Sequence, residues 1–198
     1  MRRQVSIPTQ EAIERELRRE RYKLRYKSTF RSTVYSMLVV AAVAVLVATI
    51  WLPVMRIYGS SMEPTLYAGD ILISVKSRSF ATGDVVGLYV GNRLLVKRII
   101  ATPGQVVNIT KEGEITVSTP GEGQVVLDEP YVQDAETTLE SATVSFPLEV
   151  KEDEYFVLGD HRSQSNDSRR AEIGCIQREM IVGKIIFRVW PLKAMGRI

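Results

Sequence analysis

The hydropathy pattern divides the chain into a charged beginning, a long apolar stretch and a remainder of short runs. No residue in 32–55 is charged, and a helix of that stretch reaches roughly 36 Å at about 1.5 Å per residue. This length crosses a hydrocarbon core of about 30 Å with some tilt. Tyr35 and Trp51 stand near its two ends, where amphipathic rings favour the headgroup region. We therefore predict one transmembrane helix over residues 32–55.

Two other structures would also produce a long apolar stretch. A cleaved signal peptide usually has an apolar region of about 7–15 residues behind a short basic start, whereas this run is longer and follows 31 residues of chain. A helix in the core of a soluble domain is rarely apolar on every face over such a length. The pattern favours a retained membrane anchor.

Positive charge is concentrated before the anchor. Residues 1–31 contain ten Lys or Arg and four Glu, a net charge of +6, and such a bias holds the preceding segment in the cytoplasm. Glu–Arg pairs four residues apart predict a short surface helix over residues 9–27. The basic excess lies in one tail and forms no stripe with interleaved aromatic residues, which argues against nucleic-acid binding.

Short β-branched runs broken by Gly, Pro and Asp predict strands beyond the anchor. Glu112 and Gly113 predict a hairpin turn, and residues 119–141, rich in Gly, Glu, Gln and Thr, predict a loose, exposed excursion. The expected fold is a mostly antiparallel β domain behind one N-terminal helix. The predicted strands cover residues 71–75, 85–90, 94–101, 106–109, 115–118, 144–149, 155–158 and 181–190.

Metal and disulfide chemistry have few candidate ligands here. The chain has one cysteine, Cys175, and one histidine, His161. A single cysteine forms no intrachain disulfide, CxxC pair or zinc cage, and a single histidine excludes a His-rich metal site. The sequence predicts no metal site.

A serine stands on a short turn where the chain leaves the anchor. Ser61 lies two residues after Gly59 and three before Pro64, a context that suits a nucleophile on a tight turn. Taken alone, Ser-x-x-Pro is a weak signal, because most exposed serines stabilise turns or cap helices.

A lysine lies inside the apolar predicted strand 94–101. Alternation places Lys97 on the same face as Leu95 and Ile99. A free lysine has a pKa of about 10.4, and burial among apolar neighbours lowers that pKa until the neutral amine can act as a general base. A lysine that reaches water from a strand edge is the alternative.

Together with the polar loop at 159–169, these segments resemble bacterial type I signal peptidases, the leader peptidases with a Ser–Lys dyad. The matching boxes follow the family's order: Ser-Met-x-Pro-Thr-Leu at 61–66, Gly-Asp-x-Val at 83–86, Lys-Arg-x-Ile-x-x-x-Pro-Gly at 97–104, and Gly-Asp-x-x-x-x-Ser-x-Asp-Ser-Arg at 159–169. Val-Gly-Lys at 182–184 is similar to the family's closing strand. The single anchor is more similar to Gram-positive members than to the two-anchor Gram-negative type.

The resemblance implies a role for each matched residue. It implies that Ser61 is the nucleophile, that Lys97 is the general base, and that Ser165 holds the lysine amine. It also implies three residues that support the loop: Asp160, Asp167 and Arg169.

The oxyanion site and two positions depart from the commonest family pattern. Some members use a serine hydroxyl two residues before the nucleophile, where this chain has Gly59. The amide of Ser61 and a backbone group near Gly59 would then bind the oxyanion. His161 replaces the usual Asn of the loop box, and Gln105 replaces the Asp that often follows Pro-Gly.

The resemblance also implies the substrate and the surroundings. The substrate would be the signal peptide of an exported preprotein, cleaved after a small-x-small site through an acyl-enzyme without a cofactor. The expected partners are the lipid bilayer and a nearby secretion translocon. The implied substrate-binding residues are Ile57, Tyr58, Met62, Leu66, Leu95 and Val96.

The predicted organisation has three parts: a basic cytoplasmic tail (1–31), a membrane span (32–55) and an extracytoplasmic catalytic β domain (56–198). Within the last part, residues 106–150 hold an excursion outside the matched boxes.

Three rival interpretations have distinct expectations. A Ser–His hydrolase would use His161 with Asp160 or Asp167 as the orienting carboxylate. A self-cleaving repressor would need a DNA-binding domain and a cytoplasmic location. A membrane-tethered binding domain without activity gives no reason for Ser61 and Lys97 to occur in matching boxes.

Overall fold

The computed structural model describes residues 10–121 and 123–198, and the chain forms two compact units, Met1–Ala48 and Thr49–Ile198. One helix, α1, covers Gln10–Trp51. The predicted tail helix and the predicted span are therefore parts of one continuous helix; Thr9 lies outside the described residues. Among those residues, Thr29–Val47 is the one helical stretch long and apolar enough to cross a membrane.

Short strands and 3-10 turns make up the second unit, and every described strand pair is antiparallel. The strands are β1 (Val54–Arg56), β2 (Ile71–Val75), β3 (Val85–Val90), β4 (Arg93–Ala101), β5 (Val106–Ile109), β6 (Ile115–Thr119), β7 (Gly123–Val126), β8 (Leu148–Glu149), β9 (Glu154–Leu158), β10 (Ile176–Gln177), β11 (Ile181–Trp190) and β12 (Gly196–Arg197). The 3-10 helices cover Ala135–Thr137, Arg162–Gln164, Arg178–Met180 and Leu192–Ala194.

Two sheets share these strands. The larger sheet has the order β1-β2-β11-β3-β4-β9-β10, with β12 paired to β11, and the smaller has the order β7-β6-β5-β8. The predicted fold class, a mostly antiparallel β domain behind an N-terminal apolar helix, is confirmed.

Strand alternation supplies the apolar core. In β5 and β6 the β-branched residues on one face are buried, and they pack against β4 and β9 of the larger sheet, which joins the two sheets through side chains. A second cluster lies along β3, β4 and β9, and a third lies beneath the segment after β1. That third cluster contains Met55, Ile57, Met62, Leu66, Leu72, Val85 and Ile185.

Two element boundaries differ from the sequence prediction. The helix ends at Trp51, so Val54 and Met55, which were predicted as the end of the span, lie in β1 instead. Pro53 lacks the N–H that a helix would need there. The predicted strand 144–149 is shorter in the structure, where β8 begins after Pro147, because proline donates no hydrogen bond to a sheet ladder.

The predicted loose excursion, residues 119–141, is not loose. β7 pairs along β6 from Thr116 to Thr119, and Thr138 is completely buried. The polar composition misled the prediction, because several of these polar groups bind buried arginines of the 159–169 loop.

Candidate active site

Ser61 stands on a turn that is held from below by apolar side chains. Gly59 has a φ of +83°, a conformation that only glycine adopts without strain, and it turns the chain after the buried Ile57. Met62 and Leu66 are fully buried in the core and are joined by a backbone hydrogen bond of 2.8 Å. The turn thus fixes Ser61 while leaving its side chain half-exposed.

Lys97 reaches this serine from β4. Its side chain is 2% exposed, and Nζ donates a hydrogen bond of 2.7 Å to Ser61 Oγ. At this point β4 has a paired neighbour on one side only, where Lys97 pairs with Val86 of β3. The nucleophile and base suggested by the sequence are therefore in direct contact.

Burial controls the charge of this lysine. Desolvation lowers the pKa of Lys97 from 10.5 to about 8, Asp167 and Asp160 oppose the shift, and Arg169 adds to it. Neither carboxylate forms an ion pair with Lys97, because each is engaged by an arginine. A substantial neutral fraction of the amine is thus available near pH 8.

Arg98, the next residue on β4, points to the other face and is clamped. Nε and Nη2 donate to the two oxygens of Asp160 at 2.9 and 2.7 Å, and its guanidinium lies 3.9 Å from the ring centre of Tyr131. Asp160 also accepts a hydrogen bond from Thr65. This one carboxylate therefore joins β4, the Ser61 turn and the polar loop.

A fully buried arginine, Arg169, stabilises the polar loop from inside. Nε and Nη2 of Arg169 bind the two oxygens of Asp167 at 2.8 and 2.9 Å, and Asp167 accepts a hydrogen bond from the N–H of Gly159. The guanidinium also donates to the carbonyl oxygens of Thr138 and Arg162. The loop conformation is thus set by a fully hydrogen-bonded ion pair.

The loop touches the serine turn at its first residues. A Cβ on Gly159 would lie 2.3 Å from Ser165 Oγ and 2.4 Å from the carbonyl oxygen of Ser61, so only glycine allows this approach. The N–H of His161 donates to that same carbonyl at 3.2 Å. Ser165 is buried, and its hydroxyl has no hydrogen-bond partner among the described residues; its role in holding Lys97 stays a prediction.

Residues from the predicted excursion hold the other side of the loop. Glu129 accepts a hydrogen bond of 2.7 Å from the fully buried Arg162. The carboxylate of Asp134 accepts the backbone N–H groups of Arg162 and Ser163 at 2.9 and 2.7 Å. Burial opposes the charge of Asp134, but these hydrogen bonds outweigh it and lower the pKa.

Sequence reasoning missed this set of residues. Glu129, Asp134, Thr138 and Arg162 lie outside the boxes or at variable positions within them, and no local spacing links 129–138 to 162. One signal was present: residues 160–169 contain two arginines and two aspartates. Charged groups that are buried need partners, which can come from elsewhere in the chain.

Two cavities open beside Ser61. The first, here called the Gly59 cavity, has a volume of about 40 Å³ and contains five of the six predicted substrate-binding residues. The sixth, Leu66, is fully buried beneath the turn and does not line it. The Gly59 cavity is lined by Arg56, Ile57, Tyr58, Gly59, Ser61, Met62, Leu94, Leu95 and Val96.

The second cavity, here called the Asn166 cavity, is larger, with a volume of about 350 Å³. It shares Ser61 and Leu95 with the first cavity and extends from them toward the polar loop. Its lining consists of Ser61, Val90, Arg93, Leu95, Lys97, Gln164, Asn166, Glu172 and Ile173.

The geometry does not support a Ser–His arrangement. His161 lies near Asp134, with Nε2 3.9 Å from Oδ2, and Ser61 Oγ is hydrogen-bonded to Lys97 instead. Asp160 and Asp167, the two candidate orienting carboxylates, are bound by arginines.

Several known proteins that are similar to this chain are signal peptidases. Signal peptidase IB of Staphylococcus aureus is 33% identical over 153 residues, which are 68% of this chain and 76% of that protein. Signal peptidase I of Streptococcus pneumoniae is 28% identical over 173 residues, 72% of this chain and 84% of its own length. A probable signal peptidase I-2 of Synechocystis is 33% identical over 149 residues; the chain spans 62% of that relative's length.

A crystal structure of a signal peptidase I from Enterococcus faecalis V583 matches 55% of this chain and 98% of its own, with 25% identity and a TM-score of 0.43. The model of the family described as signal peptidase, peptidase S26, matches residues 30–190. Because that match covers most of the sequence, the chain belongs to the signal peptidase family of serine peptidases, peptidase S26.

Proposed function

We propose that this protein removes N-terminal signal peptides from exported preproteins, using Ser61 as nucleophile and Lys97 as general base. The observation that carries the proposal is the 2.7 Å hydrogen bond from the buried Lys97 amine to Ser61 Oγ at the meeting point of two cavities. The relatives named signal peptidase I support the substrate class.

The reaction is acyl transfer through an ester on the serine. Neutral Lys97 accepts the proton of Ser61 as Oγ attacks the scissile carbonyl carbon. When the C–N bond breaks, the lysine ammonium returns that proton to the leaving nitrogen. Water then gives a proton to Lys97 as it attacks the ester. When the second tetrahedral intermediate collapses, the signal peptide leaves and the Lys97 ammonium returns that proton to Ser61 Oγ, which regenerates the hydroxyl and the neutral amine.

Backbone donors stabilise the negative charge on the tetrahedral intermediate. The N–H of Ser61 donates no hydrogen bond within residues 10–121 and 123–198, so it is free to bind the oxyanion. Gly59 presents backbone without a side chain beside it. A donor of this kind is commonly worth about 3–4 kcal/mol of transition-state stabilisation.

Strand edge and cavity size support cleavage after small side chains. The first half of β4 pairs with β3 alone, because β9 pairs with β4 only from Arg98 onward. The other edge is open for an extended peptide to pair by backbone hydrogen bonds. The Gly59 cavity, about 40 Å³, has room for a methyl group, which fits an Ala-x-Ala-like site.

An apolar surface supports contact of the catalytic unit with lipid. Val54, Trp190, Leu192 and Met195 are all exposed, near an end of the larger sheet where β1, β2 and β11 are adjacent. Exposed Trp and aliphatic side chains favour the membrane interface. With the +6 tail before the apolar helix, this supports a cytoplasmic N-terminus and an extracytoplasmic domain close to emerging cleavage sites and the secretion translocon.

The reaction is tested with purified full-length protein in detergent or vesicles and a preprotein that carries an Ala-x-Ala site. We expect one cleavage after the second alanine, read by N-terminal sequencing of the product. The matched Ser61→Ala protein should give no product. Cleavage elsewhere, or equal cleavage by Ser61→Ala, would reject the proposal.

Orientation is tested separately by adding a protease to intact cells. We expect digestion of residues beyond Arg56 and protection of the basic tail, detected with a tag at each end. Protection of the β domain would show that the orientation is reversed.

A further inference from the structure

The two cavities differ in which catalytic group they contain. Both include Ser61 and Leu95, but Gly59 lines only the first and Lys97 lines only the Asn166 cavity. The nucleophile therefore stands between a side that carries the oxyanion backbone and a side that carries the base.

The chemistry assigns a part of the substrate to each side. The acyl carbonyl must lie where the Ser61 N–H and the Gly59 backbone can reach its oxygen. The leaving nitrogen must lie within hydrogen-bond reach of Lys97 Nζ, because that amine returns the proton. The chain that follows the scissile bond must therefore leave Ser61 through the space that Lys97 lines.

We propose that the Asn166 cavity binds the first residues of the mature protein, and that Arg93 and Glu172 make the enzyme sensitive to their charge. The proposal rests on the proposed function and adds a specificity site on the leaving side of the bond. It gives the cavity a polypeptide occupant with an extended backbone and one or two side chains.

The lining fits that occupant. Val90, Leu95 and Ile173 supply an apolar surface, while Gln164 and Asn166, both exposed, supply amides that can donate to and accept from an extended backbone. At about 350 Å³, the space exceeds that of the Gly59 cavity severalfold, so it admits larger side chains than the acyl side does.

Opposite charges stand in the same lining. Arg93 precedes Lys97 by four residues on β4, and Glu172 follows the polar loop; both side chains are exposed and their ends are free to meet a substrate. Arg93 would attract acidic leaving residues and Glu172 basic ones. Because exposed ion pairs are weak, the effect is one of preference and not of absolute specificity.

The test uses full-length protein and three peptides with the same Ala-x-Ala acyl side. Their first two leaving residues are Ser-Ser, Lys-Lys or Asp-Asp, and kcat/KM is measured for each. We expect Glu172→Lys to lower the Lys-Lys to Asp-Asp ratio about three- to tenfold and Arg93→Glu to raise it by a similar factor. Both changes should shrink in high salt, since screening weakens exposed pairs.

Glu152→Lys is the matched control, because it makes the same charge change at an exposed residue that lines neither cavity. An unchanged ratio in both Arg93 and Glu172 variants, or a shift equal to that of Glu152→Lys, would overturn the leaving-side assignment. If the wild-type protein cleaves none of the peptides, the proposed function itself is rejected.

Discussion

Lys97 and Arg98 are neighbours on one strand, but their pKa values shift in opposite directions. Lys97 is buried and donates its hydrogen bond to a hydroxyl, and burial lowers its pKa to about 8. Burial also works against the charge of Arg98, but hydrogen bonds and the charge of Asp160 outweigh it and raise the pKa. One face of β4 therefore holds an amine with a lowered pKa, our proposed base, and the other holds a permanent cation.

The comparison shows that the counter-charge, and not burial alone, decides the role. A desolvated amine without an ion-pair partner has a lowered pKa and can accept a proton. A desolvated guanidinium bound bidentately to a carboxylate stays charged and connects structural elements. Asp160 is hydrogen-bonded to Arg98 and Thr65, which keeps it from forming an ion pair with Lys97.

The largest predicted effect is on the Lys97 face. Lys97→Met should lower kcat/KM by at least about 10³-fold, because Lys97 is the one base that contacts Ser61 Oγ within residues 10–121 and 123–198. The same substitution should raise the free energy of unfolding at pH 7 by up to roughly 3.5 kcal/mol, since the pKa falls from 10.5 to about 8 and each pKa unit corresponds to about 1.4 kcal/mol.

The stability advantage of Lys97→Met is confined to a defined pH range. Below pH 8 Lys97 is protonated in both the folded and unfolded protein and the full penalty applies. Between pH 8 and 10.5 the folded state alone loses the proton, so the wild type gains stability and the advantage of Lys97→Met disappears. Denaturant unfolding at pH 7 and pH 10 measures this. An advantage that is equal at both pH values would argue against a depressed lysine pKa.

The next effect, on the Arg98 face, is on stability. Arg98→Met leaves the completely buried Asp160 without its cation, and we expect a loss of about 3–5 kcal/mol of unfolding free energy. Adding Asp160→Asn should recover part of that loss. Arg78→Met, at an exposed arginine, is the control and should change stability by less than about 0.5 kcal/mol. A loss no larger than the control's would show that the clamp is not needed for the fold.

A smaller effect is predicted where the 129–138 segment holds the polar loop. Asp134→Ala removes two charge-assisted acceptors for backbone N–H groups and should cost about 1–2 kcal/mol. We expect kcat/KM to fall severalfold, because the loop borders Ser61 and carries Gln164 and Asn166 of the Asn166 cavity. Glu136→Ala, exposed in the same segment, should leave both parameters unchanged. Equal effects from the two variants would remove the special role of Asp134.

Local patterns predicted the elements that carry Ser61 and Lys97. Alternation in β4 placed Lys97 among apolar residues, and the box around Ser61 marked the turn. Both depend on neighbours within a few residues, which a sequence displays directly. The anchor helix was likewise predicted from an uninterrupted apolar stretch.

The sequence could not show what lies across the polar loop. Glu129 and Asp134 have a structural role because they accept hydrogen bonds from Arg162 and from the N–H groups after His161. These partners lie some thirty residues away in the sequence. Their polar composition indicated exposure, and their burial depends on partners that no local pattern identifies. Nor could the sequence show that the Ser165 hydroxyl lies against Gly159 without a hydrogen-bond partner in the described part of the chain.

The most direct test of the Ser61–Lys97 dyad is the pH dependence of kcat/KM, measured with a peptide that carries no titrating group near the scissile bond. Because Lys97 must be neutral to accept the Ser61 proton, the rate should rise about tenfold per pH unit below the pKa of about 8 and level off above it. His161→Ala should leave this limb in place. A limb near 6.5, the ordinary pKa of histidine, that disappears in His161→Ala would contradict the Ser61–Lys97 dyad.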